Sequence, residues 1–152
     1  MRTEYHNYYQ EEARMDAKLR WKYGLSFKGV ADSNFEVPLG ASIDHGGAGD
    51  GVVPMELILM GLGGCTAMDV ISILEKKRQQ VTDFEVKLHA DRAGEHPKVF
   101  TDITIEYIIK GRNIDPDAVA RAVDLSENKY CPGMAMLRKA ANIQTKYTIE
   151  EA

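Results

Sequence analysis

The chain has 152 residues, a net charge of −4, 44% apolar and 28% charged residues, which bounds it to one ordinary globular domain or one subunit of an interlocked oligomer. The acidic balance and the lack of a basic run exclude an electrostatic footprint for nucleic acid or for a membrane surface. The polar start of the chain lacks the apolar core of a leader, and the most apolar stretch, Glu56 to Asp69, is read as too short to cross a bilayer.

Residues 1–16 are polar and aromatic without a clear period, and read as an N-terminal arm preceding a single domain over residues 17–152. Alternation over Lys18 to Tyr23, Ser26 to Val30 and Phe35 to Val37, with the turn residues Asp32-Ser33-Asn34, predicts a small antiparallel meander. The glycine-rich stretch Gly40 to Gly51 follows. It lacks the Lys-Ser/Thr ending of a phosphate-binding loop, so it reads as a plain loop.

Pro54, with Glu56 close behind it, opens a helix expected to reach about Gln79. Apolar residues surround this helix up to Leu74, so it is expected to be buried on all sides, at the centre of the molecule or in a subunit interface. Gly61, Gly63 and Gly64 each cost about 1 kcal/mol of helix propensity relative to alanine. They are expected where another backbone or a ligand comes close beside Cys65.

Two alternating runs come next. Phe84, Val86, Leu88 and Ala90 share one face, and Val99, Thr101, Ile103, Ile105, Tyr107 and Ile109 share another. Gly94 and Pro97 lie in the connection, as in a hairpin. Asp115-Pro116 predicts a second helix with a cap and a first-turn proline. Cys131-Pro132 predicts a third, running to about Ala141, and Ile143 to Ile149 alternates as a last strand. The fold class is α+β.

The chain has two cysteines, Cys65 and Cys131, and they carry the chemistry of interest. Their number and placement fit a reducing cytoplasm, where a disulfide is transient rather than structural. Cys131 stands at a helix cap, so the following N–H groups and helix dipole are expected to lower its thiol pKa. Cys65 is mid-helix, with Asp69 one turn along, an anion that would raise its pKa. The histidines read as surface or turn residues: His45 in the glycine loop, His89 on a strand, His96 in a turn. No spacing argues for a metal site. The methionines, Trp21 and Tyr23 read as packing residues, and no cofactor is implied.

The segments Gly63-Gly64-Cys65-Thr66-Ala67-Met68-Asp69, Glu95-His96-Pro97-Lys98-Val99-Phe100-Thr101 and Lys129-Tyr130-Cys131-Pro132 together resemble the OsmC/Ohr superfamily over about residues 17–150. The match is closest to its cytosolic branch similar to YhfA. The resemblance implies antiparallel sheets around a long buried central helix, interlocked with a second copy as a homodimer. It also implies a thiol peroxidase in oxidative stress defence. In the peroxidase members the first cysteine attacks an organic hydroperoxide and becomes a sulfenic acid, the second resolves it as a disulfide, and a dithiol reductant restores both. By position these are Cys65 and Cys131.

The sequence departs from that pattern in one respect. The peroxidases carry a glutamate ten positions before the first cysteine, holding an arginine over the thiol. Met55 stands there, and Glu56 is about 100° further round the helix. The arginine position aligns with Leu25 or Ser26, leaving Lys28 and Arg20 as the nearest cations. The alternative is therefore a non-peroxidase member that binds a small apolar or electrophilic ligand in a dimer-interface pocket.

Overall fold

A computed structural model describes residues 14–152; the expected arm falls almost wholly outside them. The chain divides into two compact units, the first ending at Leu57 and the second running from Ile58 to Ala152.

The first unit is the expected meander. Strands β1 (Ala17–Tyr23), β2 (Ser26–Ala31) and β3 (Glu36–Leu39) form an antiparallel sheet in chain order. The turn at Asp32-Ser33 closes with Asn34 at φ 63°, a left-handed conformation that asparagine tolerates. The glycine-rich loop carries one 3-10 turn, Ile43–His45. Asp50 anchors the loop to the sheet: its carboxylate accepts from Ser26 Oγ at 2.7 Å and from the Tyr23 hydroxyl. The same contact holds Asp50 below the usual carboxylate range and pushes Tyr23 up.

Helix α1 spans Pro54–Lys76 and supplies most of its length to the second unit. It ends three residues earlier than the sequence suggests, and Arg78 turns the chain away at φ 56°. At 23 residues, with a window of mean hydropathy 1.9, it is long and apolar enough to cross a membrane by length and composition. The expectation of a stretch too short to do so counted only Glu56 to Asp69. Thr66 and Asp69 on this helix hydrogen-bond Tyr107 and Ser126 of the same unit.

One stripe of α1 is buried: Leu62, Gly63, Thr66, Val70 and Leu74. This differs from the expectation of burial on all sides. Ile58, Met60 and Met68 remain 45%, 51% and 72% exposed. Of the three glycines, Gly63 makes a close approach. A Cβ there would lie 2.5 Å from Leu88 Cδ1, whereas Gly61 and Gly64 face open space.

Strands β4 (Gln80–Arg92) and β5 (Phe100–Arg112) form the long hairpin. Its register sets Phe84 opposite Ile109, Val86 opposite Tyr107, Leu88 opposite Ile105 and Ala90 opposite Ile103, so the two apolar faces coincide. Helix α2 (Pro116–Leu125) starts as expected, Asp115 accepting from the N–H of Asp117 at 2.9 Å. A π-helical turn, Ser126–Tyr130, follows it directly. Helix α3 (Pro132–Leu137) is shorter than the sequence suggests. Strand β6 (Asn142–Glu151) then adds parallel to β5, giving the order β4-β5-β6. The architecture is α+β.

Candidate active site

Cys65 lies on α1 and Cys131 caps α3, 66 residues apart in sequence; their Sγ atoms stand 3.0 Å apart and both are free thiols. A disulfide bond is about 2.05 Å long, so roughly 1 Å of closure joins them. Local sequence explains the placement of Cys131. The residue before a proline is pushed to extended backbone, and Cys131 has φ −78°, ψ 107°, with Pro132 opening the helix. Its N–H donates to the Ser126 carbonyl at 2.9 Å, and its Sγ accepts from the Met134 N–H at 3.3 Å.

The expected lowering of the Cys131 pKa does not occur. Cys131 is 3% exposed, and burial pushes its thiol up to about 11, helped by the bond with Cys65 and opposed by the Met134 N–H. A short helix supplies two backbone donors, and the cost of ionising a buried sulfur outweighs them. At neutral pH Cys131 therefore keeps its proton and donates it to Cys65. Cys65 is half-buried and has this one hydrogen-bond partner among the described residues.

Asp69 accepts a hydrogen bond from Ser126 Oγ at 3.0 Å. Glu56 accepts from the Val53 N–H at 3.2 Å, capping the helix it opens. Lys28 is paired with Glu36 at 2.8 Å on an exposed strand surface, and Arg20 stands directly opposite Lys28 in the β1–β2 register. His45 bonds Ser42 Oγ at 2.7 Å and His89 bonds Asp91 at 3.2 Å. No group of three metal-ligating side chains gathers among the described residues.

Sequence reasoning missed a buried polar chain beside the thiols. The Tyr107 hydroxyl meets Thr66 Oγ1 at 2.6 Å, Thr66 Oγ1 meets Ser126 Oγ at 2.8 Å, and Ser126 Oγ reaches Asp69. Thr66, Tyr107 and Ser126 are fully buried. The available signal was a threonine within the Leu62-to-Leu74 stripe, a polar residue where an aliphatic one packs as well.

A long helix and a capping turn that present two thiols within bonding reach, on an α+β frame, define a two-cysteine protein of the OsmC/Ohr architecture. The model of the OsmC-like protein family matches residues 47–146, and the chain belongs to that family. It is 45% identical to protein YhfA of Escherichia coli K12 over 139 residues, 91% of this chain and 100% of YhfA. A solved hypothetical protein from Aquifex aeolicus VF5 superposes with a TM-score of 0.81 at 29% identity, covering 91% of this chain and 98% of that one. A solved organic hydroperoxide resistance protein OsmC from Legionella pneumophila shares the fold at a TM-score of 0.68 and 14% identity, over 89% of this chain and 96% of that one.

Proposed function

We propose that the protein is a cytoplasmic two-cysteine peroxidase that reduces organic hydroperoxides in oxidative stress defence and works as a homodimer. The 3.0 Å separation of two free thiols, with the buried one donating to the half-buried one, is the observation that carries this reading. The shared fold of the Legionella organic hydroperoxide resistance protein adds weight to it. Two free cysteines fit a reducing compartment.

In this reading the Cys65 thiolate attacks the outer oxygen of the hydroperoxide. An S–O bond forms, the O–O bond breaks, and the alcohol leaves after taking a proton. Cys131 then attacks the Cys65 sulfenic acid, its thiol proton leaves with the hydroxyl as water, and a disulfide remains. A small dithiol reductant returns both sulfurs to thiols by exchange. The turnover consumes one hydroperoxide and one dithiol, and yields an alcohol, water and an oxidised dithiol. In this reading Cys65 is activated by a cation, and a group of the second copy is the candidate.

The homodimer reading rests on the apolar surface of a single copy. Met68, Met60 and Ile58 on α1, and Trp21 and Leu19 on β1, are large apolar side chains left exposed. Patches of this kind in a water-facing protein mark a partner surface.

A second reading keeps the thiols and drops the peroxidase. The first unit holds an apolar pocket of about 420 Å³, lined by Leu19, Leu25, Phe27, Leu39 and Pro54 among others, which suits a small apolar or electrophilic ligand. Consumption of cumene hydroperoxide in the presence of a dithiol separates the two. Turnover that disappears in Cys65→Ser supports the peroxidase; wild-type protein without turnover leaves the ligand-binding reading.

A further inference from the structure

We infer that Ser126 is a positioning residue for the thiol pair, holding the turn that ends at Cys131 against the helix that carries Cys65. The inference rests on the two-thiol reading above and assigns the device that sets the reach between the sulfurs.

Each polar group of Ser126 is committed. Its N–H donates to the Ala122 and Val123 carbonyls in the last turn of α2. Its carbonyl accepts the Cys131 N–H at 2.9 Å, closing the π-helical turn. Its hydroxyl bonds Thr66 at 2.8 Å and Asp69 at 3.0 Å, the residue after Cys65 and the residue one helical turn beyond it. A single buried side chain thus connects both sides of the thiol pair.

The direction of the bonds follows from donor arithmetic. The Asp69 carboxylate accepts only, so Ser126 spends its one hydroxyl proton there. Thr66 must then donate to Ser126, and Tyr107 to Thr66. The chain Tyr107 → Thr66 → Ser126 → Asp69 runs one way and needs a protonated tyrosine at its head. Burial supplies that condition, pushing Tyr107 up to about 12. Arg138 braces the same turn from α3, donating to the Glu127 carbonyl at 2.8 Å.

The consequence concerns effective concentration. In the disulfide the covalent bond itself holds helix and turn together, whereas in the dithiol the polar chain does so. Without it the dithiol gains freedom, and the disulfide loses its advantage over an external thiol. The exchange is balanced: protein dithiol plus glutathione disulfide gives protein disulfide plus two glutathione thiols.

The test is the equilibrium constant of that exchange in glutathione buffers, read by mass spectrometry on folded protein whose melting temperature is recorded alongside. Ser126→Ala is expected to lower the constant about tenfold, the loss of one buried charge-assisted bond. Asp69→Ala removes the same bond from the half-buried side and is expected to match it, in case Ser126→Ala folds poorly. Asp69→Asn keeps an acceptor and is expected to restore most of the effect. Constants within twofold of wild type in both alanine variants overturn the inference, as does Asp69→Asn falling as far as Asp69→Ala. A wild-type protein that forms no Cys65–Cys131 disulfide at any buffer ratio instead overturns the two-thiol reading, and this inference with it.

Discussion

Cys131 holds its proton toward Cys65: the buried thiol donates across 3.0 Å to the half-buried one, although Cys131 is the residue at a helix cap. Position at a helix N-terminus is thus insufficient to acidify a thiol that is 3% exposed. In wild-type protein at pH 7 to 8, iodoacetamide is expected to label Cys65 well before Cys131, read by peptide mass spectrometry. Equal labelling would contradict the assignment of donor and acceptor.

The raised pKa of Cys131 also makes a statement about stability. The folded state holds the thiol proton more tightly than the unfolded state does. The contribution is fully present below the ordinary thiol range and is lost as pH rises through about 11. Denaturant midpoints of reduced wild type should fall over that interval, while Cys131→Ser, which has no such thiol, should show a shallower fall. Parallel curves would contradict this.

Much of the frame was legible in the sequence because it is local. Alternation fixed the apolar faces of the hairpin, and the register brings Val86 to Tyr107 and Leu88 to Ile105 as those faces require. Pro54 and Asp115-Pro116 marked two helix starts. What escaped is non-local. A period of two is the same for parallel and antiparallel strands, so the parallel addition of β6 to β5 left no local signature. Tyr107, Thr66 and Ser126 lie 41 and 60 residues apart along the polar chain, and each taken alone reads as a strand, helix or turn residue. The acidity of Cys131 failed for the same reason: the cap was visible in Cys131-Pro132, whereas the burial that outweighs it is made by distant segments.

Gly111 illustrates a packing constraint of the hairpin. A Cβ there would lie 2.2 Å from the backbone carbonyl of Gln80, which cannot swing aside as a side chain can. Gly111→Ala should therefore destabilise by about 2 kcal/mol or more, measured by urea unfolding. A change within about 0.5 kcal/mol, the range of an ordinary surface substitution, would show that the strand end shifts freely.

The exposed side of α1 carries the prediction of a homodimer. The chain is expected to elute and scatter as a dimer at micromolar concentration, with a total buried interface above about 2,000 Å². Met68 is 72% exposed in one copy, and Met68→Glu should shift the protein toward monomer by placing a charge in the interface. A wild-type monomer, or a dimer indifferent to Met68→Glu, would remove α1 from the interface.

The central claim is that Cys65 meets the oxidant and Cys131 resolves it. Cys131→Ser protein treated with one equivalent of an organic hydroperoxide and a sulfenic-acid trap, then mapped by mass spectrometry, tests this most directly. The account predicts a trapped sulfenic acid at Cys65, and in wild type a Cys65–Cys131 disulfide in its place. An unmodified Cys65 in the variant, with Cys131 of the wild type oxidised readily, would contradict it and reverse the two roles.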